Sequence, residues 1–166
     1  MTLSEIWIYP VKSLGGIRVT EAEVEEKGLK HDRRWMIVDD NNVFITQRAF
    51  PKMTLVDVEV GMEGLTLSYR PETGNNIFVP FIPVSAISVK VAVWDDREVE
   101  ALTVSDDVDK WLSNLLGLSL RLVVMPESTE RKADPRYAKN DENVSFADGF
   151  PFLLISQASL DRKSVV

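Results

Sequence analysis

Two short stretches carry the residue types that could do chemistry: YPVKS, residues 9–13, and DRRW, residues 32–35. Lys12 is a point charge followed by a hydroxyl donor, Ser13, and Arg33 offers a planar guanidinium that can grip a phosphate or carboxylate through two donors. Together they describe an anion clamp. Composition alone favours a plainer reading, with Lys12 a solvated lysine, Ser13 a turn residue and Arg33 and Arg34 surface charges, because charged side chains are mostly exposed. Other chemistries are thinly supplied. His31 is the only histidine and there is no cysteine, so a histidine metal site, a hydrolase triad, a thiolate site and a disulfide cannot be assembled from these residues. Glu21, Glu23, Glu25 and Glu26 read as a solvated acidic face, and Gly15-Gly16 as a turn without the spacing of a phosphate-binding loop.

The clamp has to be positioned by a chain of 166 residues, enough for one domain or for one and the start of another. With 19 basic and 26 acidic residues its net charge is −7, which argues against nucleic acid and anionic lipid as partners. No stretch approaches the ~18 apolar residues of a membrane span and no signal-like segment opens the chain, so a cytoplasmic location is the default expectation.

The pattern predicts many short strands. Residues 3–9 are the first, ended by Pro10, and Ile17 to Val24 the second, so that two strands bracket Lys12 and Ser13. A hairpin is expected over residues 35–46, turning at Asp39 to Asn42, and another over residues 54–69, turning at Gly61 to Gly64. If Arg33 already lies in the strand, alternation puts Arg33 and Trp35 on one face and Arg34 on the other, leaving one arginine for a common ligand. Residues 77–79, 87–94, 99–104 and 118–125 add strands, and closely spaced short strands indicate a barrel or sandwich. The period changes once: Val108, Trp111, Leu112, Leu115 and Leu116 form an apolar stripe that predicts a covering helix over 106–116, with Ser105 as N-cap and Gly117 as stop. Residues 126–143 read as a long polar loop, and Phe150 to Ile155 as a buried-type strand.

The runs IYPVKSLGG, GLKHDRRWMIVDD, FITQRAFPKM and FADGFPFLLISQASL resemble proteins with an N-terminal MOSC β-barrel domain followed by a MOSC domain. This family includes the mitochondrial amidoxime-reducing component and its bacterial relatives. The resemblance implies a mainly β fold with α: a barrel domain over 1–125 with its helix, a linker over 126–143 and the first segment of a second barrel domain over 144–160. It implies contacts from Lys12, Ser13 and Arg33 to the pterin and phosphate of a molybdenum cofactor. Asp148 falls at the cofactor's edge, with Gly149 and Phe150 where some relatives carry small hydroxyl residues. The implied activity is reduction of N-hydroxylated compounds with electrons from a donor protein. The metal itself is held in the family by a cysteine beyond the last residue here, and an R-x-N cofactor motif also lies further on, so these residues alone are expected to bind no molybdenum. A non-catalytic β-barrel binding module and a sulfur-transfer role toward the cofactor are the other expectations. Some relatives are joined to pyridoxal-phosphate domains, but nothing here resembles a Schiff-base lysine site. Relatives continue differently after Leu160, and one reverse translation of residues 161–166 is a sequencing-adapter read, so this tail is expected to be non-native and poorly ordered, and the apolar run Phe152 to Ile155 to be more exposed than its composition warrants.

Overall fold

The computed structural model describes residues 2–163. The order of elements is β1 (Ile6–Ile8), β2 (Ile17–Val19), β3 (Val24–Glu25), β4 (Gly28–Leu29), β5 (Trp35–Asp39), a 3-10 turn (Pro51–Leu55), β6 (Val56–Val60), β7 (Gly64–Tyr69), β8 (Asn76–Pro80), β9 (Ser88–Val93), β10 (Asp96–Thr103), α1 (Asp106–Leu116), β11 (Leu120–Val124) and α2 (Gln157–Lys163). All named strand pairs are antiparallel, in a four-stranded sheet of order β5-β11-β10-β9, a three-stranded sheet β6-β7-β8 and the two-stranded ribbons β1-β2 and β3-β4. The sheets stay open, so the molecule is barrel-like without a closed ring of strands. No helix among the described residues is long and apolar enough to cross a membrane.

Strands β5 and β11 are buried on both faces, which explains the near-continuous apolar run Trp35-Met36-Ile37-Val38, whereas β9 and β10 keep exposed positions such as Lys90, Glu98 and Glu100. Trp35, Ile37, Leu120 and Leu122 face a core shared with β6, β7 and the helix residues Val108, Leu112 and Leu115. Met36, Val38, Val123 and Val91 face a second cluster that includes Phe146. Residues 144–147 are buried against that second face, so the chain from Val144 to Ala147 returns beneath the sheet.

Helix α1 spans Asp106–Leu116, the range the apolar stripe predicts, and Gly117 ends it at φ 74. Ser105 is extended, as an N-cap should be, but its side chain makes no capping hydrogen bond. Three other expectations need correction. The return strand of the 35–46 hairpin is reduced to the bridges Val38–Phe44 and Val43–Ala92, because Asp39 accepts the Asn41 and Val43 amides and tightens the turn. The segment from Ile17 to Val24 is broken into β2 and β3 rather than one strand. Residues 152–156 form no strand, while Phe152, Leu153, Leu154 and Ile155 are exposed, Leu153 at 79%, as that apolar run was expected to be. Of the 161–166 tail, residues 161–163 close α2, and the expectation for 164–166 lies outside the described residues.

Candidate functional site

Asp32 lies 23 positions after Tyr9, yet the two stretches are laced together by backbone. The Arg33 amide donates to the Tyr9 carbonyl at 2.8 Å, the Trp35 amide to Pro10 at 3.1 Å, and the Lys12 amide to Trp35 at 2.8 Å. The buried carboxylate of Asp32 accepts the Tyr9 amide at 2.7 Å. Val11 and Trp35, both buried, pin this lacing to the core, so Lys12, Ser13 and Arg33 leave it at one place. Gly16 permits the arrangement: a Cβ there would stand 2.5 Å from the Tyr9 ring, and that ring supports the Arg33 guanidinium at 5.2 Å.

The two arginines do part company, though not by strand alternation. Arg33 precedes β5 and sits at φ 49, so the chain turns there rather than pleats. Its guanidinium pairs with Asp32 and borders the cleft. Arg34 is buried on the other side, paired with Glu25 and Glu127 and donating to the Met125 carbonyl. The acidic cluster is largely solvated, as expected: Glu21, Glu23 and Glu26 are exposed, with Glu23 paired to Lys30 and Glu26 accepting from Asn143 at the surface.

Lys12 is almost fully buried, its side chain 6% exposed, and its Nζ donates to the Phe146 carbonyl at 2.8 Å and to Asp148 Oδ1 at 2.6 Å. The Trp94 indole donates to the same Asp148 oxygen at 3.0 Å. Phe44 and Trp94 flank the ammonium at 5.5 and 5.6 Å. Arg131, itself buried, holds the segment below by donating to the Ser145 and Ala147 carbonyls and pairing with Asp96. Burial lowers the Lys12 pKa, with Asp148 opposing the shift. Burial raises the Asp32 pKa, opposed by Arg33. Asp148 is desolvated as well, which works to raise its pKa, but Lys12, Trp94 and Arg48 together outweigh this and hold its carboxyl below the usual range.

These groups line a cleft of about 520 Å³, the size of a small-molecule site, and a shallower depression of about 610 Å³ adjoins it, sharing Thr46, Arg48 and Trp94. All four residues singled out from the sequence, Lys12, Ser13, Arg33 and Asp148, border the cleft. Two more were missed. Arg48 lies over the Trp94 ring at 5.7 Å and has no ion pair among the described residues. Trp94 opens the two-residue turn from β9 to β10 at φ 54, where glycine would sit without strain. A bulky ring at that turn, just before Asp95-Asp96, was the available signal. Ser13, Arg33 and Trp94 are three of seven non-glycine residues with positive φ among those described, so backbone strain gathers at this cleft. His31 is elsewhere, stacked on Phe81 at 4.8 Å, and no group of three acidic or histidine side chains among the described residues could hold a metal. What the cleft can do chemically is bind and orient an anion.

Open antiparallel sheets with one covering helix define a mainly β, barrel-like domain. The sequence model of the MOSC N-terminal beta barrel domain matches residues 1–119, and the chain belongs to that family. It is 27% identical over 168 residues to mitochondrial amidoxime-reducing component 1 of Mus musculus, covering 96% of this chain and 49% of that protein. It is 32% identical over 166 residues to the molybdenum cofactor sulfurase of Danio rerio, covering 96% of this chain and 20% of that one. The chain thus spans about half the length of the first relative and a fifth of the second. A solution structure of a Bordetella bronchiseptica protein superposes with a TM-score of 0.50 at 21% identity, covering 68% of this chain and 95% of that one, a likeness of fold.

Proposed function

We propose that this chain is the N-terminal part of a molybdenum-cofactor-binding oxidoreductase that reduces N-hydroxylated small molecules with electrons from a donor protein. Its cleft contributes contacts to the pterin and its phosphate. The observation that carries this is the convergence of Lys12, Ser13 and Arg33, with Arg48, on one cleft in a chain whose net charge is −7. The donor set fits such a group. Among the described residues Ser13 makes no side-chain hydrogen bond and Arg48 no ion pair, while one Lys12 hydrogen and most of the Arg33 fork are uncommitted. Asp148 is an acceptor of the kind that the N–H groups of a pterin need.

When bound, the cofactor supplies redox chemistry at molybdenum. The chain's own residues neutralise charge, orient the pterin and wall off solvent, which is the protein's usual share in cofactor catalysis. The 32% identity to a cofactor sulfurase favours a second reading, in which the same cleft presents the cofactor for sulfur transfer.

The test is made in a full-length protein. Lys12→Ala and Arg33→Ala are each expected to lower molybdenum content by metal analysis, and with it reduction of an N-hydroxylated substrate in the presence of donor proteins. Full-length protein that carries no molybdenum would favour a non-catalytic binding module instead. Molybdenum with sulfur transfer and no such reduction would favour the second reading.

A further inference from the structure

The polar stretch over residues 126–143 places one side chain where it can act on the cleft without entering it. Arg131 is buried, its side chain 5% exposed, and it does not border the cleft. Its Nε donates to Asp96 Oδ2 at 2.7 Å, and its Nη1 donates to the Ser145 and Ala147 carbonyls at 2.7 and 2.6 Å. The intervening carbonyl, that of Phe146, accepts from Lys12 Nζ at 2.8 Å. One guanidinium therefore fixes the carbonyls on either side of the one that Lys12 uses, and Asp148 follows directly after the last of them.

Asp96 opens β10 two positions after Trp94, where the pairing with β9 shifts register between Asp96 and Val99. A bulge of this kind bends a strand and re-aims its side chains. Here Asp96 meets Arg131, while Trp94 donates to Asp148 Oδ1 at 3.0 Å. The contacts close a circuit: Asp96 to Arg131, Arg131 to Ala147, Asp148 to Trp94, and Trp94 along the chain back to Asp96. Buried Thr129 ties the same stretch to β10 by donating to the Glu100 carbonyl at 3.0 Å, so Arg131 enters the circuit from a fixed base.

We propose that Arg131, with Asp96 as its counter-charge, is a positioning residue for the cleft: it holds the Phe146 carbonyl to Lys12 and Asp148 to Trp94, and so sets the spacing of the two walls. This rests on the reading above for what the cleft holds, and it gives the 126–143 stretch a part in it. A guanidinium has donors at fixed angles, so a carboxylate and two carbonyls gripped by one fork are fixed relative to one another. Binding groups keep a productive geometry only when such supporting bonds lock them from behind. Asp96 is half-exposed, at 49%, whereas Arg131 is buried, so removing the Asp96 charge leaves a buried cation without its carboxylate. That charge then bears on Lys12, whose pKa is lowered first by burial and further by Arg131.

The test reads the Trp94 indole N–H resonance of the nitrogen-15-labelled 166-residue chain, assigned with Trp94→Phe. Asp148→Ala marks its position when the acceptor is gone. Asp96→Asn, and Arg131→Lys, which keeps the charge without the fork, are each expected to move the resonance most of the way to that position. The indoles of Trp7, Trp35 and Trp111 should stay in place, and Asp96→Glu should behave as wild type. In a full-length protein the first two variants should lower molybdenum content several-fold, and Asp96→Glu should keep it. An unmoved Trp94 resonance in folded Asp96→Asn overturns the proposal, and so does a shift of all four indoles together, which marks general loosening. Should Arg131→Lys not fold, Asp96→Asn decides alone. Molybdenum retained in Asp96→Asn but lost in Lys12→Ala overturns the positioning role and leaves the reading of the cleft intact. Molybdenum retained in Lys12→Ala as well overturns that reading, and the indole shift then decides for or against Arg131 by itself.

Discussion

Adjacent arginines of the same type do different work here, and the difference is set by which carboxylates surround them. Arg34 is buried and its partners Glu25 and Glu127 lie away from the cleft, whereas Arg33 rests on Tyr9 at the cleft wall. Arg34→Ala is therefore expected to cost about 1–3 kcal/mol of stability, by loss of charged hydrogen bonds, while leaving phosphate affinity within about twofold. Arg33→Lys should do the reverse. The charge remains but the planar fork is lost, so anion binding should weaken several-fold with little change in the urea midpoint. Titration and denaturation of both variants check the pair, and equal losses in the two assays would remove the distinction.

At the scale of elements, the helix and the sheet meet through a titratable contact. Asp109 on α1 accepts the Leu122 amide of β11 at 2.8 Å, and burial raises its pKa from 3.8 to about 6. The folded state thus prefers the protonated form. That contribution to stability is fully present below the unfolded value of 3.8 and is lost as pH rises through about 6. Asp109→Asn keeps an acceptor for Leu122 without the charge. Urea melts from pH 4 to 7 should show its advantage over the wild type growing with pH to about 1–2 kcal/mol, discounted because the group is partly solvated. A second element-scale outcome concerns the turn after the clamp. Gly16→Ala places a methyl against the Tyr9 ring and shifts the support of Arg33. Because Tyr9 is partly exposed and can swing outward, stability should fall by less than about 1.5 kcal/mol while phosphate affinity falls several-fold.

Across the whole molecule, apolar surface is unevenly covered. Both faces of β5 and β11 are buried, yet Phe152, Leu153, Leu154 and Ile155 stand in solvent together. Contiguous exposed apolar groups are sticky. The double substitution Leu153→Lys with Leu154→Lys is expected to raise solubility and reduce binding of an apolar dye without moving the thermal midpoint, since neither side chain belongs to a core cluster. A drop in the midpoint would mean that the run packs on the domain in solution.

Much of this was legible in the chain itself. The stripe Val108, Leu112, Leu115 specified α1 because helical periodicity is local, and the alternation of Leu65, Leu67 and Tyr69 specified β7 for the same reason. Lys12, Ser13, Arg33 and Asp148 were singled out by residue type and by resemblance to a family. Three things were decided only by tertiary structure. The Arg33 backbone left the strand conformation because its amide is claimed by Tyr9, a partner far away in sequence. Phe150 to Ile155, apolar enough for a buried strand, stayed irregular because composition records what a segment could bury and not whether a surface is there to receive it. Trp94, Arg48 and Asp148 met because three separate turns end at the same rim, and no spacing along the chain encodes such a convergence.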